Sequence, residues 1–218
     1  MKLDTRKLTS IAMLSALAFI VMMVMRIPIS PLPFLKYDPK DIIIVIAGFI
    51  YSPIVAVAIS VIVSLIEMIT VSDTVFIGFI MNVLSTCAFV VPATIIYKKH
   101  KSLKSAIVGL GIGVIAMTII MMLWNYLLTP LYMKIPREDV IAMLVPMILP
   151  FNLIKGGLNM AITLIIYKPV VTALRKARLI PSDQTNTQGK KVNWIVIIVA
   201  LVAIATMALI VLSMKGII

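Results

Sequence analysis

Cysteine and histidine are nearly absent, with one of each, Cys87 and His100, in 218 residues. A single thiol forms no internal disulfide, and neither residue has the companions that a zinc site needs. Acids are scarce too, eight Asp and Glu against twenty Lys and Arg. That leaves no acidic cluster for magnesium, and the chain carries no H-E-x-x-H, P-loop or G-x-S-x-G motif. The expectation is therefore no catalytic constellation, no metal site and no resident cofactor. Charged residues make up only 13% of the chain and hydrophobic ones 62%, against roughly 45–50% apolar in soluble domains. So little polar surface cannot cover a globule, which excludes a soluble enzyme.

What is present is a series of long apolar runs. At about 20 residues per bilayer crossing, the length allows six or seven spans with short loops. No room remains for a nucleotide-binding domain, so ATP-driven work needs a partner chain. The net charge of +12 would suggest nucleic acid in a soluble protein. Here the bases flank apolar runs, where they set topology and meet lipid headgroups, so the expected partner is the bilayer and not nucleic acid.

The first run, about residues 8–25, follows Lys2, Arg6 and Lys7 and imitates a signal peptide. It is too long for a signal core, and its small residues sit mid-run, which predicts a retained helix. A proline-containing loop leads to a second helix starting near Asp38, with Asp38 as N-cap, Pro39 in the first turn and Asp41 three residues on. Ser52-Pro53 turns into a third helix over about 54–70. The fourth covers about 75–97, the fifth 105–132, and the sixth 141–170, the last interrupted by Pro146 and Pro150. Residues 1–180 are thus expected to form a six-helix membrane domain. Residues 181–193 read as a polar linker, and 194–214 as a seventh transmembrane helix. With the N-terminus in the cytoplasm, thirteen bases fall inside and six outside, leaving Lys155 within a span. That asymmetry predicts a cytoplasmic N-terminus and, if the seventh helix spans, an external C-terminus.

Polar groups within the spans are costly and carry most of the functional information. Asn152, Lys155 and Asn159 are spaced i, i+3, i+7 and share one helix face. Asn125, Thr129 and Tyr132 repeat that spacing on the fifth helix beside Trp124, as do Gly78, Asn82 and Ser85 on the fourth. Ser60, Ser64 and Glu67 repeat it on the third. At 1.5 Å per residue, Asn82 and Asn125 lie about 10–12 Å below the outer helix ends, and Asn152 and Lys155 about 15–20 Å. The four stripes converge on a polar-lined pocket in the outer half of the bundle. The serines and Asn82 also suit interhelical contacts. Glu67 is open to three readings: turned outward, paired with a base such as Lys134, or serving as the one acidic partner of Lys155 within the spans. Gly109, Gly111 and Gly113 read as close-packing points. Ala12-x-x-x-Ala16, with Ser15, gives the first helix a small-residue patch suited to close helix contact.

Together these residues resemble the substrate-binding S components of energy-coupling factor (ECF) transporters, most closely the riboflavin-specific ones. The resemblance spans about residues 5–180. It rests on F-L-K-Y-D-P-K-D at 34–41, W-N-Y-L-L-T-P-L-Y at 124–132, P-F-N-L-I-K-G at 150–156 and the Ala12-x-x-x-Ala16 element. It implies an all-α six-helix S component that captures riboflavin from outside and works with a transmembrane coupling subunit and two ABC-type ATPases. Asn125, Asn152 and Lys155 would hydrogen-bond the flavin. The loop holding Leu35, Tyr37 and Asp38 would close over the pocket, and Ala12 and Ala16 would dock the coupling subunit. The seventh helix lies beyond the six-helix pattern. Two competing readings are an S component for thiamine, biotin or folate, and a non-transporting membrane scaffold.

Overall fold

The computed structural model describes residues 5–29, 35–72, 75–177 and 194–214. The expected linker 181–193 and Phe34 of the first motif lie outside them.

Two kinds of helix build the bundle. Long apolar ones are α1 (Thr5–Val24), α3 (Pro53–Thr70), α4 (Val75–His100) and α5 (Leu103–Met133). A fifth long apolar element runs from Arg137 to Lys176, made of α6 (Arg137–Met143), a π-helical turn (Leu144–Ile148) and α7 (Leu149–Lys176). Each is long enough to cross a bilayer, and the chain is a multi-pass membrane protein. The sixth expected helix is thus an interrupted one. Pro146 lies in its π turn and Pro150 in the first turn of α7, since a proline supplies no N–H to the helical ladder.

The short helix is α2 (Lys40–Ile50), 11 residues long, or about 16 Å, half of a bilayer core. Every residue from Lys40 to Phe49 is buried, as expected of a helix that is apolar all round. It is wrapped by α1, α3, α4 and α7. Around it α1 packs on α3, α3 on α4, α4 on α5 and α5 on α7. Local signals set the ends. Ser52 accepts from the Val55 N–H ahead of Pro53, and Ser102 accepts from the Ser105 N–H. Lys134 ends α5 in the left-handed conformation.

Asp38 does not cap α2. Pro39 occupies the N-cap position and no side chain caps the helix. The segment ahead of it is instead a small antiparallel hairpin, β1 (Ile27–Pro28) against β2 (Lys36–Tyr37), an addition to the expected all-α architecture. Its Ile29, Leu35 and Tyr37 are buried against Ile148, Phe151 and Ile154.

The glycine stripe of α5 holds at two positions of three. A Cβ at Gly109 or Gly113 would collide with the Ala93 or Phe89 carbonyl of α4, whereas Gly111 faces open space. Finally, α8 (Trp194–Met214) forms over the expected range and packs on α7, while α1 packs on α2 and α3.

Candidate functional site

A cleft opens between the hairpin, α3, α4, α5 and the start of α7, with an empty volume of about 890 Å³ including its mouth. Seven of the nine residues singled out from sequence line it: Leu35, Glu67, Asn82, Asn125, Tyr132, Asn152 and Lys155. Helical spacing explains why, since each stripe turns one face of its helix inward. Gly78 and Ser85 line it too, and Met81, Met121, Ile77 and Phe151 supply apolar wall.

The other two candidates stand behind the wall. Thr129 donates to Asn125 Oδ1 at 2.9 Å, while Asn125 Nδ2 donates to the Met121 carbonyl at 2.7 Å. The Asn125 amide is thereby held in one orientation. Tyr37 donates to Asn159 Oδ1 at 3.1 Å, and Asn159 Nδ2 reaches Asp41 Oδ2 at 3.3 Å. Asn159 therefore links the hairpin to α2 and does not reach the cleft. Asn152 Nδ2 donates to the Ile148 carbonyl at 2.8 Å. Ser60 and Ser64 are buried away from the cleft, without hydrogen-bond partners among the described residues.

Charge at the site is richer than one acid and one base. Glu67 pairs neither outward nor with Lys134. It accepts from buried Lys40 and lies 3.4 Å from Arg26. Nor is it the ion-pair partner of Lys155, whose Nζ lies 3.6 Å from Asp38 Oδ2 and 4.0 Å from Asp41 Oδ2. Lys40 Nζ is also 3.9 Å from Asp38 Oδ1, and Asp41 accepts from Thr86 at 2.6 Å. Within this buried network three cations are paired with three carboxylates, and Lys36 adds a further positive charge at the cleft. Burial disfavours ionised Asp38, but Lys155, Lys40 and Arg26 outweigh it and hold the carboxyl below its usual range. Burial first, then Asp38 and Asp41, push the Tyr37 phenol above its usual value, so it remains a donor at neutral pH.

Lys40, Asp41 and Arg26 are the members that sequence reasoning missed, and Asp38, expected in the closing loop and as a helix cap, is instead an ion-pair partner. The usable signal was the length of α2. Charges at the head of an apolar helix too short to span must sit at membrane depth, not in an aqueous loop.

Ala12 and Ala16 are exposed on α1, whereas Ser15, grouped with them by sequence, is buried and back-bonds to the Ile11 carbonyl. The two alanines therefore form an outward face.

The profile of the family described as "ECF transporter, substrate-specific component" matches residues 6–167. The chain belongs to that family. This S component is 32% identical over 190 residues to the riboflavin transporter FmnP of Bacillus subtilis (strain 168), covering 81% of this chain and 100% of that one. It is 33% identical over 181 residues to the riboflavin transporter RibU of Staphylococcus aureus (strain TCH60), covering 79% and 94%. A solved structure, the S component of a bacterial ECF transporter, superposes with a TM-score of 0.67 at 32% identity, over 78% of this chain and 98% of that one. The family match ends at residue 167, before α8.

Proposed function

We propose that this S component is the riboflavin-binding subunit of an ECF-type uptake transporter, capturing the vitamin in the cleft above α2. The observation that carries the reading is the mutual pairing of the buried charges beside a set of amide side chains. Arg26, Lys40 and Lys155 offset Asp38, Asp41 and Glu67, while Asn125, Asn152 and Asn82 present amide groups. A neutral heterocycle rich in carbonyl and imide groups suits such a site. The carboxylates that a thiamine cation needs are already engaged by Arg26, Lys40 and Lys155, and those same bases are already engaged for the carboxylates of folate. Riboflavin offers a ring for the amides and Lys155, apolar edges for Met81, Met121 and Phe151, and a ribityl chain for the remaining polar groups. The names of the related transporters point to the same ligand. A scaffold reading leaves the cleft without a use.

In this reading residues 1–180 act as the binding domain, with 181–193 as linker and α8 as an accessory helix. The N-terminus lies in the cytoplasm and the cleft faces outside, in accord with the distribution of bases. Ala12 and Ala16 dock the transmembrane coupling subunit, and ATP hydrolysis falls to two ATPase subunits. The S component itself performs no chemistry, and riboflavin is its cargo.

The test is the visible spectrum of the chain purified in detergent, followed by titration with riboflavin. A flavin spectrum released on denaturation, or sub-micromolar binding of added riboflavin, supports the assignment. A colourless protein that leaves riboflavin fluorescence unquenched rejects it.

A further inference from the structure

The segment that presents Asn152 and Lys155 begins on an interrupted helical ladder. Pro146 and Pro150 each withhold a backbone donor, and a π-helical turn, Leu144–Ile148, precedes α7. Val145 and Leu153 are exposed on its outer side. A helix start with a broken ladder depends on side-chain packing to hold its register.

That packing comes from two sides, through adjacent glycines. A Cβ at Gly156 would press on Val114 and Met117 of α5, and one at Gly157 would collide with Met207 of α8. Met207 and Val211 also pack on the apolar cluster of Leu35, Ile148, Phe151 and Ile154. Leu35 and Phe151 of that cluster line the cleft, and the Ile148 carbonyl holds the Asn152 amide. Met207 and Val211 stand one turn apart, so they lie on one face of α8. Leu209, on the opposite side, is exposed.

We propose that α8 braces the ligand site: Met207 and Val211 hold the start of α7 in the register that aims Asn152 and Lys155 into the cleft. Met207 is a positioning residue and touches no ligand. The bracing helix lies beyond the stretch that the family model matches.

The inference rests on the riboflavin reading only for its affinity readout, so a second readout is independent of ligand. The full chain in detergent carries Met207→Ala, Gly157→Leu, both together, or Leu209→Ala as the outward control. Riboflavin affinity is read by fluorescence quenching, and amide exchange over residues 149–156 and 85–93 is read without ligand. Met207→Ala and Gly157→Leu should each raise Kd at least fivefold and speed exchange over 149–156, leaving 85–93 unchanged. The double variant should return to within twofold of the parent, because the smaller residue at 207 makes room for the larger one at 157. Leu209→Ala should change neither. Unchanged exchange over 149–156 in both single variants overturns the brace, as does faster exchange throughout the bundle. Faster exchange with an unaltered Kd overturns it as well. If the parent chain fails to bind riboflavin, the ligand assignment falls and the exchange pattern still decides the brace.

Discussion

Lys155 Nζ lies 3.6 Å from Asp38 Oδ2, which ties the body of α7 to the loop ahead of α2. Both side chains are buried, and taking two charges out of water costs more than an isolated pair returns. Such a pair is retained where its geometry is useful. Here it places an ammonium on the cleft wall and anchors the hairpin whose Leu35 lines the mouth.

Lys155→Ala should weaken riboflavin binding at least tenfold, equivalent to about 1.4 kcal/mol. It removes a donor to the ligand and also leaves Asp38 and Asp41 short of a counter-charge. Breaking a buried pair from one side costs about 3–5 kcal/mol of stability, so the ligand-free melting temperature should fall too. Fluorescence titration checks the first effect and a thermal scan the second. Affinity equal to that of the parent would remove Lys155 from the site.

The amides should separate binding from stability more cleanly. Asn152→Ala is expected to raise Kd at least tenfold with little thermal cost, because the backbone bond of Ile148 survives. Thr129→Val removes the donor that orients Asn125, a hydrogen bond of about 0.5–1.5 kcal/mol, and should weaken riboflavin binding by roughly three- to tenfold. An effect of Thr129→Val equal to that of Asn125→Ala would mean that orientation is the whole contribution of that amide. No effect would make Thr129 a packing residue.

Ala12→Trp should leave riboflavin affinity unchanged and abolish co-purification with the coupling subunit. Both alanines are exposed and α8 packs on α7, while α1 packs on α2 and α3, so the seventh helix does not use this face as its seat. Assembly and uptake that persist in Ala12→Trp would place the docking surface elsewhere.

Most of the helices were legible in the sequence because their apolar runs are long and their breaks are chemical, as at Ser52-Pro53 and Ser102. The polar stripes were legible because a period of 3.6 residues sets the polar groups of each helix on one face, Asn82 with Ser85, Asn125 with Tyr132 and Asn152 with Lys155. What failed was local grammar applied to a loop at membrane depth. Asp38-Pro39-Lys40-Asp41 has the form of a capped helix start in water. Buried beside Lys155 and Glu67, the same residues gain more from each other than Asp38 would from the α2 backbone. Glu67 was misassigned for a related reason, since Lys40 and Arg26 come from segments that sequence distance does not bring near α3. The two-residue strands of the hairpin are too short to leave a period at all.

The pairing of charges at the cleft makes its own prediction. Glu67→Gln removes one of three carboxylates and leaves Lys40 and Arg26 in excess by one charge. An extra unit charge about 10 Å from a ligand phosphate, at an effective dielectric near 20, is worth about 1.7 kcal/mol. The variant should therefore improve the affinity for riboflavin 5′-phosphate relative to riboflavin by roughly twentyfold, even as overall stability drops. Competition between the two flavins on parent and variant measures that ratio directly and cancels any shared loss of binding. A ratio that does not move would mean that shape at the mouth, and not the paired charges, sets which flavin the cleft accepts.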